Sequence, residues 1–156
     1  MRKIKINIVL GHELPFPQSE GGGVNSLIMQ IINGFDKDKT DIAVYSPLSE
    51  SLEPFEVIDD VQYIRVIGAD RKKGAIANII AGIPYAIRVL IKMRKADILF
   101  SHFWHGFFFT FTKKVKVKTH TVHRDPNKAL FLFRGFDKIF FGSDSVSDEA
   151  KVILPS

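Results

Sequence analysis

Apolar residues recur along this chain in two rhythms. Ile4-Lys5-Ile6-Asn7-Ile8-Val9-Leu10 reads as a buried strand, and Val24, Leu27, Ile28, Ile31, Ile32 and Phe35 fall at offsets 0, 3, 4, 7, 8 and 11, one stripe of a helix. Between them stands the triplet Gly21-Gly22-Gly23. Asp41 to Ser46 reads as a second buried strand, followed by a loop rich in Ser, Glu and Pro. Val61 to Ile67 alternates and reads as a third strand, nearer a sheet edge because one face carries polar residues. The helical rhythm returns from Ala75 to Arg94 at Ile76, Ile79, Ile80, Ile83, Ile87, Leu90 and Ile91, where Gly82 and Pro84 predict a kink or two shorter helices. Asp97 to Ser101, Val115 to Thr121 and Asp137 to Gly142 supply three more strands. Short helical segments are expected at Phe107 to Phe111 and before Gly135, and Ser145 or Ser147 caps a final helix.

Strands that alternate with helices predict an α/β fold, a Rossmann-like three-layer sandwich on a parallel sheet of six or more strands. At 156 residues the chain reads as a single domain, 1–156. Ligands of such sheets collect at the carboxyl ends of the strands, near the point where strand order reverses. The chemically rich residues all follow strands: Gly21 to Gly23 after the first, His102 to His105 after the fourth, His123 to Asp125 after the fifth, Ser143 to Ser145 after the sixth.

Composition narrows the chemistry. The chain has no cysteine, which excludes a disulfide framework and thiolate chemistry and fits a reducing cytoplasm. No signal peptide is evident after Met1-Arg2-Lys3, and no apolar run is long enough to span a bilayer. The formal charge of +5 gathers at Arg71-Lys72-Lys73, Lys92 to Lys95 and Lys113 to Lys118. Such clusters favour an anionic membrane surface, nucleic acid or a phosphorylated substrate, or are simply solvated loops. The 14 phenylalanines do not alternate with basic residues as a nucleic-acid stacking platform requires, so no nucleic-acid partner is expected.

Several residues carry candidate chemistry. A helix that begins just after three glycines offers unpaired N–H groups and a positive dipole end to a phosphate, although a plain strand-to-helix connection also uses glycine. The triplet is not the G-x-G-x-x-G dinucleotide fingerprint. The Trp104 indole can stack on a sugar ring while His102 and His105 bond its hydroxyls; Trp104 as a core anchor is the competing reading. Two histidines three apart with no adjoining carboxylate make a poor zinc site, and no metal is expected. His123, at a strand end, can hydrogen-bond a hydroxyl or move a proton near neutral pH. Arg124 can pair with a phosphate or, equally, with Asp125. Phe107 to Phe111 read first as burial between sheet and helix and second as a membrane-docking face.

The strand–glycine loop–helix opening, the strand end Asp97 to His102, the segment Thr121-Val122-His123-Arg124-Asp125 and the run Phe136 to Ser143 together resemble the amino-terminal half of retaining glycosyltransferases of the GT-B fold, family 4 type. The resemblance spans nearly the whole chain in order. It departs at Arg124, which stands where the family usually has its acid, with Asp125 one residue late. It implies an acceptor-side domain of a metal-independent, retaining enzyme that moves a sugar from a nucleotide-sugar to a hydroxyl of a glycan or lipid-linked acceptor. It implies no cofactor beyond that co-substrate, a C-terminal donor domain as the missing partner, and little activity for this half alone. On this reading Gly21, Gly22 and Gly23 approach donor phosphate, His123 contacts the transferred sugar as the catalytic-site residue, and His102, Trp104, His105 and Arg124 face the acceptor. The expected location is cytoplasmic, with peripheral contact at the inner membrane face. The alternative is a stand-alone Rossmann-like module that binds a nucleotide or phosphorylated sugar without catalysis.

Overall fold

The computed structural model describes residues 2–13, 15–17, 23–122, 128–143 and 147, with backbone alone at 75, 76, 104 and 128–131. The described residues form seven strands: β1 (Ile4–Val9), β2 (Thr40–Pro47), β3 (Phe55–Ile58), β4 (Val61–Val66), β5 (Ala96–Ser101), β6 (Val115–Val122) and β7 (Lys138–Phe141). They form one sheet in the order β3-β4-β2-β1-β5-β6-β7. Every pairing is parallel except β3 with β4. The chain is therefore an α/β protein with a Rossmann-like, mostly parallel sheet.

Period-two alternation decides what each face buries. On β1, Ile6 and Ile8 turn to one side with Ile28 and Ile32 of helix α1 (Gly23–Gly34), while Val9 turns to the other with Tyr85 and Val89 of helix α2 (Ala75–Lys92) and Met93 just beyond it. Two 3-10 helices, Trp104–Phe111 and Lys128–Gly135, add Phe109 and Phe133 to the α2 side. Both faces are covered, which gives the three layers.

The structure differs from the sequence reading at three places. β4 is not an edge strand, because β3 continues the sheet beyond it through a hairpin whose two turn residues, Asp59 and Asp60, have φ of 48° and 63°. Positive φ at both positions is what a two-residue hairpin turn needs, and the usual Asn-Gly or Asp-Gly signal is missing here. The charged residue of β4 is turned inward beside Val61 and Tyr63: the fully buried Arg65 donates from Nε to the Phe16 carbonyl (3.0 Å) and from Nη1 to the Glu53 carbonyl (2.7 Å) and the Glu56 carboxylate (2.9 Å).

Second, α2 is one helix through Pro84 and not two shorter ones. Proline removes the N–H that would bond the Ile80 carbonyl, but Ile80 is 61% exposed, so water can take that place. Third, the buried side chains of α2 are Tyr85, Ala86 and Val89, with Met93 just past its end; of the stripe the spacing suggested, Ile79, Ile83 and Leu90 are half-buried, and Ile80, Ile87 and Ile91 face outward. The helix is apolar nearly all round, so periodicity alone could not choose its inner face. The final helix expected after Ser145 lies, apart from residue 147, outside the described residues.

The turn after α2 is clamped to the sheet. Arg94 donates from Nη1 to the Asp41 carboxylate (2.7 Å) and from Nη2 to the Asp41 carbonyl (2.6 Å), its N–H reaches the Tyr45 hydroxyl (3.0 Å), and Asn7 Nδ2 donates to its carbonyl (2.9 Å). This forked contact fixes the crossover from α2 into β5. Arg94→Lys keeps the charge and loses the fork. The expected result is about 1–2 kcal/mol of destabilisation, read as a lower urea midpoint with unchanged slope.

Candidate functional site

Strand order reverses between β1 and β5, since β2 and β4 extend one way from β1 while β6 and β7 extend the other way from β5. The loops leaving β1 and β5 must therefore diverge, and a crevice opens between them. A cavity of about 240 Å³ occupies that position. Gly11, His12 and Glu13 line it from the end of β1, His102, Phe103 and His105 from the end of β5, Val24 and Asn25 from the first turn of α1, and Asn78 from the first turn of α2.

Local hydrogen bonds hold these loops. The His102 N–H donates to the Val9 carbonyl (3.2 Å) and the Leu10 N–H to the Tyr45 carbonyl (3.0 Å), so both loops leave the sheet in register. The Tyr85 hydroxyl, whose pKa burial pushes far up, donates to the Leu10 carbonyl (3.0 Å). Asn78 donates from Nδ2 to Glu13 (2.7 Å) and accepts the Lys72 N–H on Oδ1 (3.0 Å). A carboxylate on one side and an N–H on the other leave its amide a single orientation.

His105 is the anchor of the pocket wall. Its Nε2 lies 2.8 Å from the Ile79 carbonyl and 3.3 Å from that of Asn78. Carbonyls only accept, so Nε2 carries the proton and Nδ1 of the neutral ring is an acceptor. The ring fits because position 82 is glycine: a Cβ there would fall inside the imidazole. His105 Nδ1 is buried without a hydrogen-bond partner among the described residues, and so is His12 Nε2; the two rings meet edge to face at 4.7 Å.

Burial lowers the pKa of both histidines. For His105 the neighbouring His12 lowers it further, against the opposing pull of the Ile79 and Asn78 carbonyls and Glu13; for His12, Glu13 and Asn78 oppose the burial. Burial thus favours the neutral form of His12 and His105, in a pocket that also holds His102, the amides of Asn25 and Asn78 and the side chain of Glu13. That set suits a hydroxyl-rich ligand, which can donate to buried nitrogens left open.

Of the residues singled out by sequence, His102 and His105 lie together on this wall, and α1, beginning at Gly23, points its first turn into the same cavity. The backbone of Trp104 starts the 3-10 helix, and its side chain is outside the described set. Gly21, Gly22, His123 and Arg124 lie outside the described residues. Among the described residues no group of three or more metal-ligating side chains converges. His12, Glu13, Asn25 and Asn78 are lining residues that sequence reasoning passed over. His12 and Glu13 directly follow β1, so the rule that found the other loops could have found them; Asn78 lies in a helix, 65 residues from Glu13, and carries no local signal.

A second depression of about 470 Å³ shares His12 and Glu13 and continues the rim past β2 and β4, with Ser49, Glu50 and Asp70 in its wall. A third, of about 590 Å³, lies at the opposite, amino edge of the sheet among lysines. No model of a known protein family matches this chain. No curated protein sequence matches it either.

Gly82→Ala is expected to expel the His105 ring and destabilise the chain by about 2 kcal/mol, despite alanine's better helix propensity. A lower melting temperature, with the His105 ring titrating closer to 6.5 by NMR, checks this. The pH dependence follows from the same burial. With native pKa values below the ordinary 6.5, the unfolded chain binds more protons as pH falls below that value. Melting temperature should be insensitive to these two rings above pH 6.5 and fall below it, less steeply in His12→Phe.

Proposed function

We propose that this chain is the acceptor-side domain of a glycosyltransferase that moves a sugar from a nucleotide-sugar to a hydroxyl of a glycan or lipid-linked acceptor. The observation that carries the reading is the cavity at the strand-order reversal, lined by His12, His105 and the Glu13–Asn78 pair, with His12 Nε2 and His105 Nδ1 buried and unpartnered among the described residues of its wall. A sugar hydroxyl both donates and accepts. It can satisfy an open imidazole nitrogen with its proton and take a hydrogen bond on its oxygen, so a polyol fits where a purely apolar or purely anionic ligand does not.

The motifs from β1 through β7 support the sugar-transfer reading over a passive sugar site, and the first turn of α1, facing the same cavity, supplies a positive dipole end near where a departing diphosphate gains charge. On this reading His102 and His105, with Trp104 and Arg124, address the acceptor, Gly21 to Gly23 approach donor phosphate, and His123 contacts the transferred sugar. The chemistry needs no metal: side chains and helix termini take the leaving group's charge. A stand-alone module that binds a nucleotide or phosphorylated sugar is the second reading, favoured by the same helix terminus.

The test is transfer or donor hydrolysis by the full reading frame with a panel of nucleotide-sugars. His12→Phe keeps an aromatic ring and deletes the open nitrogen. In the active protein it should raise KM for acceptor about tenfold, the loss of one hydrogen bond to a neutral hydroxyl. If no donor is consumed but NMR shows nucleotide binding near α1, the passive module is correct; if neither occurs, both readings fall.

A further inference from the structure

Helix α2 carries two apolar faces. Gly82, Tyr85, Ala86, Val89 and Met93 lie against the sheet. Ile80, Pro84, Ile87 and Ile91 follow at offsets 0, 4, 7 and 11 on the opposite side, and the isoleucines are 61%, 47% and 73% exposed. A helix at a protein surface normally turns polar residues outward, and one that is apolar all round is normally covered. Phe111, at the end of the first 3-10 helix, extends the patch: it is 83% exposed, and three residues later Lys114 donates from Nζ to the Leu90 and Ile91 carbonyls. On the flank Arg88 donates to the carbonyl of Ile67, itself 63% exposed.

Cations surround this stripe. Between positions 88 and 118 the sequence has eight basic residues and one acid, Asp97. That acid is spent locally: Arg2 (2.6 Å), Lys116 (2.8 Å) and the Lys5 N–H (3.0 Å) surround it and hold its carboxyl well below the usual range. Lys92, Lys95 and Lys113 are exposed, and Lys95, Lys113, Lys114 and Lys116 line the basic depression at the amino edge of the sheet.

We infer that this face, Ile80 to Ile91 with Phe111 and the lysines at their end, docks the protein on an anionic lipid bilayer. A flat apolar stripe about 16 Å long fits the boundary between headgroups and acyl chains, and flexible lysines beside it can keep their ammonium groups among the headgroups. A protein partner of matching charge would need acids set against the lysines, and an anionic surface supplies them without a fixed register. The C-terminal half of α2 and the lysines lie at the amino edge, opposite the crevice, so docking leaves the carboxyl rim open. The sequence reading put burial of Phe107 to Phe111 first and a membrane face second; Phe109 is buried, Phe107 and Phe108 are half-buried, and Phe111 alone joins the exposed patch.

The inference does not rest on the sugar-transfer reading, and its test uses no nucleotide or sugar. The full chain is sedimented with vesicles of equal parts phosphatidylcholine and phosphatidylglycerol, and with vesicles of phosphatidylcholine alone. Binding is expected to the anionic vesicles and not to the neutral ones, and to weaken with added salt. Ile91→Glu and Phe111→Ser change exposed side chains, so circular dichroism should be unaltered, while each lowers vesicle affinity about tenfold or more. Three results overturn the assignment: no sedimentation of the parent chain, vesicle binding that ignores both substitutions, or a stable dimer that Ile91→Glu dissolves, which would give this face to a second copy.

Discussion

The bond from His105 Nε2 to the Ile79 carbonyl, made across the gap left by Gly82, is the contact on which the rim depends. It joins the loop after β5 to the first turns of α2, two segments that the chain connects only through a strand. It also settles a chemical question. Because a carbonyl cannot donate, the proton is on Nε2 and the other nitrogen is an open acceptor beside His12. Packing and electrostatics thus act through one atom pair: burial keeps the ring neutral, neutrality leaves the lone pair free, and the lone pair gives the cavity something to offer a hydroxyl.

Around that contact the sheet divides the molecule's chemistry between its two edges. At the carboxyl edge the loops after β1 and β5 are polar, and Glu13 there takes a hydrogen bond from Asn78 and faces Arg71 at 3.9 Å. At the amino edge the chain gathers lysines around a single committed carboxylate. Helix α2 runs from one edge to the other, its first turn contributing Asn78 to the rim and its last turn being capped by Lys114. One element therefore links a neutral pocket to a cationic surface.

Most of the architecture was legible in the residues. Six of the seven strands have runs of β-branched or alternating side chains, and α1 has a single clean stripe. What could not be read was set by distant partners. β3 is four residues long and closes through a pair of aspartates rather than a glycine-containing turn, so local propensity is silent. Arg65 makes β4 look half-solvated, yet its Nε and Nη1 are bonded to Phe16, Glu53 and Glu56, which no local window links to it. For α2, an excess of isoleucine hid the inner face. The site divides in the same way: residues directly after strands were visible as candidates, whereas the Asn78 contribution and the glycine that seats His105 emerge once α2 is laid beside the loop.

The strand pairings also imply an order of assembly. β3 and β4 meet through two residues, whereas β1 must wait for β2 across α1 and for β5 across more than half of the chain. Closing a short hairpin takes microseconds, and closing long parallel crossovers is slower because chain entropy is lost before contacts repay it. The antiparallel edge can therefore form first and present a ready template to β2, while the β1–β5 junction, and with it the crevice, is among the last parts of the sheet to close.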